Sequence, residues 1–120
     1  MPSKSFNRTD RISTQLRKEI SVLVHAAVRD HELPSVSVSD VEVSRELDIA
    51  TVYVTTLIAD EGKTAVAALK EMAREFRREL SRTLSIRRVP ELRFRYDDSM
   101  DKGERIESLL RKDRDAGDSE

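Results

Sequence analysis

Ile49-Ala50-Thr51-Val52-Tyr53-Val54-Thr55-Thr56-Leu57 decides the fold. The run is rich in β-branched residues and alternates in polarity, which predicts a half-buried strand. Upstream, Val36 and Val38 alternate with serines, and Val41 and Val43 alternate with Asp40 and Glu42. The two alternations are out of phase. A bulge near Ser39-Asp40 is required to keep all four valines on one face. Ser44 to Asp48 then join the two strands as a hairpin.

Outward from the hairpin, the apolar period changes. From Asp10 to Arg29, the residues Ile12, Leu16, Ile20, Leu23, Val24, Ala27 and Val28 recur at three- and four-residue spacing. That predicts an amphipathic helix, with Thr9 or Asp10 as its cap and Pro34 barring its continuation. On the other side, Ala65, Leu69, Met72, Phe76, Leu80 and Leu84 predict one long helix over about 63–84. Pro90 opens a third strand in which Leu92, Phe94 and Tyr96 alternate with Glu91, Arg93 and Arg95. Asp98 or Ser99 is placed to cap a last helix over about 100–111, bearing Ile106, Leu109 and Leu110. Residues 113–120 are polar throughout, which predicts a disordered tail after a domain over 1–112. The order α-β-β-α-β-α implies an α+β fold, a three-stranded sheet with helices on one face.

A chain of 120 residues fits one domain. It has no cysteine, which excludes disulfides and thiolate metal sites. Residues 1–10 lack the apolar run of a signal peptide, and no apolar stretch approaches the ~20 residues of a membrane span. Net charge is −1, but it is unevenly distributed. Residues 1–29 carry +4, residues 30–62 carry −7, residues 74–95 carry +5 and residues 96–120 carry −4. Such asymmetry directs binding.

Catalytic patterns are missing. Gly62-Lys63-Thr64 resembles the end of a phosphate-binding loop, but Leu57 stands where the first glycine is needed, so the glycine reads as a helix start. His25 and His31 are six apart, not the four that place two metal ligands on one helix face. No G-x-S-x-G elbow occurs, and no carboxylate pair sits in the unlike environments that acid–base catalysis needs. The expectation is a binding protein, not an enzyme, with no cofactor, metal or small-molecule substrate.

The binding signal is arginine. Lys70, Arg74, Arg77, Arg78 and Arg82 form a stripe opposite the apolar one, and Arg87, Arg88, Arg93 and Arg95 follow. Arg74, Arg78 and Arg82 are four apart and repel by a few tenths of a kcal/mol per pair, a cost that phosphates remove on binding. Glu71, Glu75 and Glu79 each lie three residues before an arginine, and those pairs alone would serve a solvated helix. Aromatic residues are few and mostly in apolar stripes, which favours contact with RNA backbone and shape over base stacking. The competing reading is a protein-interaction module whose arginines meet an acidic protein surface.

Nearly the whole chain resembles the bacterial ribosome-binding factor A family. The matching residues are Arg8, Arg11 and Lys18-Glu19-Ile20; Val41-Glu42-Val43-Ser44-Arg45-Glu46-Leu47 with Ala50 and Val52-Tyr53-Val54; and Val89-Pro90-Glu91-Leu92-x-Phe94-x-Tyr96-Asp97-x-Ser99, followed by Gly103 and Ile106. The resemblance implies a type-II KH-like fold, α-β-β-α-α-β, with the C-terminal helix after it. It also implies a cytoplasmic factor that binds the free 30S subunit, assists late maturation of 16S ribosomal RNA and matters in the cold. The family carries an Ala-x-Gly kink between its central helices. Here that stretch reads Met72-Ala73-Arg74, and loss of a glycine that costs about 1 kcal/mol in a helix favours an unbroken one. The expected RNA-binding residues are Arg8, Arg11, Lys18, Arg74, Arg77, Arg78, Arg82, Arg87 and Arg88, with Arg45 weaker because its surroundings are acidic. A monomer is expected.

Overall fold

A computed structural model describes residues 8–99. The elements are α1 (Arg8–His31), β1 (Val36–Val43), β2 (Ile49–Thr56), α2 (Gly62–Glu71), α3 (Ala73–Thr83) and β3 (Glu91–Tyr96), with a short 3₁₀ turn at Ala59–Glu61. The expected last helix and polar tail lie outside the described residues. The sheet order is β1-β2-β3. β1 and β2 pair antiparallel, as a hairpin must, while β2 and β3 pair parallel. The parallel pair requires a crossover, which α2 and α3 supply.

The bulge lies where the valine phases demand it. Val38 pairs with Val54 and Asp40 with Tyr53, leaving Ser39 as the extra residue. Val36 and Val41 are therefore both buried, with Val38 and Val43 packed against the same core. Ser39 Oγ donates to the Tyr53 carbonyl (3.2 Å) and to Asp97 Oδ2 (2.7 Å), which ties the bulge to the chain leaving β3. The hairpin turn is closed by Ser44, whose Oγ accepts the Asp48 and Ile49 amides at 3.2 and 3.0 Å. Leu47 occupies the left-handed region in that turn (φ 62°), and Glu32 does so where α1 ends ahead of Pro34 (φ 52°).

The core lies between one sheet face and the helices. Leu16, Ile20 and Val24 of α1 meet Val52, Val54, Leu69, Leu80 and Phe94, all essentially without solvent contact. Each such side chain contributes about 1.5–3 kcal/mol on burial. Phe76 and Phe94 pack edge to face at 6.0 Å between ring centroids.

One sequence expectation is corrected. The central helix is not continuous: it is interrupted at Met72, whose φ and ψ are −93° and 0°. Met72 N–H bonds the Leu69 carbonyl at 3.0 Å in a tightened last turn, and Phe76 N–H bonds the Met72 carbonyl at 2.9 Å to start α3. Those dihedrals are open to any L residue, so the break needs no glycine. Packing enforces it, because α2 lies on β2 and β3 while α3 packs on α1 and β3. In the turn after β3, the Asp97 carboxylate accepts the Ser99 amide at 3.0 Å.

Candidate nucleic-acid interface

The strand directions set the polarity of the molecule. The start of β1 and the ends of β2 and β3 share one end of the sheet; the hairpin turn and the start of β3 share the other. At the first end, the connecting segments 32–35, 57–61 and 97–99 carry Glu32, Asp60, Glu61, Asp97 and Asp98 and no lysine or arginine. At the second end, the hairpin turn brings Arg45 with Glu46 and Asp48, the segment after α3 brings Arg87 and Arg88, and the first turn of α1 brings Arg8 and Arg11 with Asp10, an excess of arginine. The blocks of charge along the chain thus become an axis through the fold.

Arg8, Arg87 and Arg88 line one cleft of about 220 Å³ together with Glu46 and the apolar residues Ile12, Leu47, Ile86 and Pro90. Arg11 and Lys18, seven apart and exposed, share one face of α1. Arg74, Arg78 and Arg82 form an exposed row along α3, as their spacing predicts, although Arg82 also meets Glu79 at 3.6 Å. Arg77 departs from the row. Its Nη2 donates to the Val89 carbonyl at 2.9 Å, so this guanidinium braces the segment before β3. Lys70 departs too, because the break at Met72 leaves it on α2.

A groove of about 720 Å³ runs between α2 and β3. Its floor is Val66, Ala67, Leu92, Phe94 and Tyr96, and its cations are Lys63, Lys70, Arg93 and Arg95. Sequence reading placed none of these cations among the RNA contacts. The alternation Arg93-x-Arg95 was visible, but the parallel pairing that leaves β3 at the sheet edge beside α2 was not. Gly62 opens α2 here, and a Cβ on it would stand 2.7 Å from Tyr96 Cδ1. The glycine permits close packing of helix on strand and is not a phosphate cradle.

The uncovered sheet face is graded in charge. Asp40 and Glu42 of β1 lie opposite Tyr53 and Thr51 of β2, which lie beside Arg95 and Arg93 of β3. The Glu42 charge, partial burial and the hydrogen bond to Glu42 push the Tyr53 phenol above its ordinary value. Tyr53 therefore sits on this open face, not in an apolar stripe. Arg93 pairs with Glu91 at 3.1 Å. No cluster of three metal-ligating side chains exists among the described residues, and none of their helices is long and apolar enough to cross a membrane.

A helix-covered three-stranded sheet ordered α-β-β-α-α-β is a KH-like domain, here with cationic surfaces. The family model for ribosome-binding factor A matches residues 8–110. Ribosome-binding factor A of Xanthomonas euvesicatoria pv. vesicatoria (strain 85-10) is 57% identical over 117 residues, covering 98% of this chain and 90% of that protein. The protein of the same name from Xylella fastidiosa (strain M23) is 59% identical over 111 residues, covering 92% and 89%. Among solved structures, the crystal structure of ribosome-binding factor A from Thermus thermophilus superposes with a TM-score of 0.66 at 26% identity, covering 75% of this chain and 97% of that one. A homology model of the Thermus thermophilus factor, fitted into a cryo-EM map of its 30S complex, gives a TM-score of 0.60 at 28% identity, covering 72% and 91%. This chain belongs to the ribosome-binding factor A family, which is a family of binding factors and not of enzymes.

Proposed function

We propose that this chain is a cytoplasmic assembly factor that binds the free 30S subunit through 16S ribosomal RNA, acts as a monomer, and assists late maturation of that RNA, with greatest importance in the cold. The observation that carries the reading is the collection of exposed arginines from three distant parts of the chain (α1, α3 and the segment before β3) on a domain whose opposite end is acidic. Such a molecule presents an arginine-rich end to phosphate, so the near-zero net charge is no obstacle to RNA. The fitted 30S complex of a family member supports the same partner.

The test is sedimentation of the tagged chain through a gradient of cell lysate at low salt. Co-migration with free small subunits, and absence from intact ribosomes, is the expected result. Residence only at the top of the gradient would end the ribosomal reading. Nuclease treatment of the collected particles separates RNA contact from contact with an acidic protein surface, since only the first is lost.

A further inference from the structure

We infer that the cleft between Arg8, Arg87 and Arg88 is a discrete phosphate-binding subsite, separate from the arginine row of α3. The inference rests on the RNA-binding reading above and adds to it where one phosphate group would sit. Arg29, Arg82 and Arg93 each have a carboxylate partner, and Arg77 is bonded to a carbonyl. Arg8, Arg87 and Arg88 have none among the described residues, and Glu46, which lines the same cleft, is not paired with them either. Three guanidiniums and one carboxylate leave an excess of positive charge between apolar walls. The three guanidiniums are exposed and so able to turn toward one ligand, for which an anion with several acceptor oxygens is the matching occupant.

The cleft is held in shape before any ligand arrives. Glu91 N–H bonds the Asp48 carbonyl at 2.9 Å, joining the segment that carries Arg87 and Arg88 to the hairpin turn that carries Glu46 and Leu47. Arg77 fixes that same segment through the Val89 carbonyl, and Pro90 is fully buried. Ser44 bonds the Asp48 and Ile49 amides and so fixes the turn. A prearranged set of donors loses less freedom on binding. A volume of about 220 Å³ admits a phosphate group with a few waters, each occupying roughly 30 Å³.

The experiment is an NMR titration of the full chain with inorganic phosphate at low ionic strength, following backbone amides and arginine Nε–H groups. The wild type is expected to show saturable shifts at Ile86 to Arg88, Leu47 and Arg8. The double variant R87Q/R88Q should bind phosphate at least about tenfold more weakly, since it lacks two charge-assisted donors. The variant R17Q/R29Q, which removes two exposed arginines further along α1, should bind it as the wild type does. Uniform unsaturable shifts at every arginine, or equal binding by R87Q/R88Q, would overturn the subsite. Trinucleotides with and without a 5′-phosphate then distinguish the source: preference for the phosphorylated form indicates a chain end, and equal binding at the cleft indicates an internal phosphodiester. Binding of neither refutes the inference. Co-sedimentation of the wild type with small subunits is scored separately, so the subsite can fail while the ribosomal reading stands, and the reverse.

Discussion

Arg77 and Arg78 are adjacent and chemically identical, yet they do different things. Arg77 donates to the Val89 carbonyl, while Arg78 projects from the exposed row. Arg77→Gln is expected to cost about 1–2 kcal/mol in urea unfolding, because it removes a charge-assisted bond to a part-buried carbonyl. Arg78→Gln should stay within about 0.5 kcal/mol of wild type. Equal losses in the two variants would mean that Arg77 is no brace. Asp97 supplies a pH signature. Hydrogen bonds from the Ser99 hydroxyl, the Ser39 hydroxyl and the Ser99 amide hold its carboxyl below the ordinary value of 3.8. A carboxylate whose folded pKa is depressed contributes stability that is present above the unfolded pKa and is lost as pH falls through the folded one. The wild type should therefore lose stability as pH falls below about 4, and Asp97→Asn should flatten that part of the profile. Parallel curves for the two proteins between pH 2 and 6 would exclude this contribution.

At the scale of elements, the bulge in β1 and the break in the crossover show how local pattern and packing divide the work. The bulge was legible because two out-of-phase alternations cannot share a face without an extra residue. Its location is bounded by Val38 and Asp40, and Ser39 fills it with both hydroxyl contacts satisfied. Deleting Ser39 joins Val38 to Asp40 in unbroken alternation, so the four valines keep one face and the strand loses only its bulge. The expected cost is about 1.5–3 kcal/mol, from the lost hydroxyl bond to the Asp97 carboxylate, read as a fall in the urea midpoint. A loss of more than about 5 kcal/mol would show that the bulge itself sets the register of the sheet. The break at Met72 was not legible. Ala65, Leu69, Met72, Phe76, Leu80 and Leu84 keep helical spacing straight through it, and nothing at Met72 is a helix breaker. It arises because the two halves rest on different neighbours. The Gly62 contact with Tyr96 is of the same kind, a meeting of helix and strand 34 residues apart in the chain.

At the scale of the whole molecule, charge is graded along the strand axis, with acidic connections at one end and an excess of arginine at the other. A polarised domain of this sort approaches a polyanion in one orientation, and association with RNA weakens steeply with salt. The triple variant R74Q/R78Q/R82Q should bind small subunits more weakly and reduce the slope of log K against log salt by about 2, given ~0.7–0.9 per phosphate contact. An unchanged slope would move the interface off α3, toward the cleft at Arg8, Arg87 and Arg88 or the groove of Lys63 and Lys70.

The division between chain and fold follows from range. Helix and strand identity, the bulge, the hairpin and the arginine row are written in residues a few positions apart, and periodicity alone determines them. The sequence by itself also settled the absence of thiolate chemistry and the separation of charge into blocks. Tertiary structure alone decided that Arg8 and Arg87 share a cleft, that Arg77 bonds the Val89 carbonyl and that Lys63 and Lys70 line a groove with β3. Each of these depends on the parallel pairing of β2 with β3. That pairing carries the chain back to the hairpin end of the sheet before β3 begins, so residues almost 80 positions apart become neighbours. No local spacing encodes such a return; it is set by the shared core that the crossover helices bury.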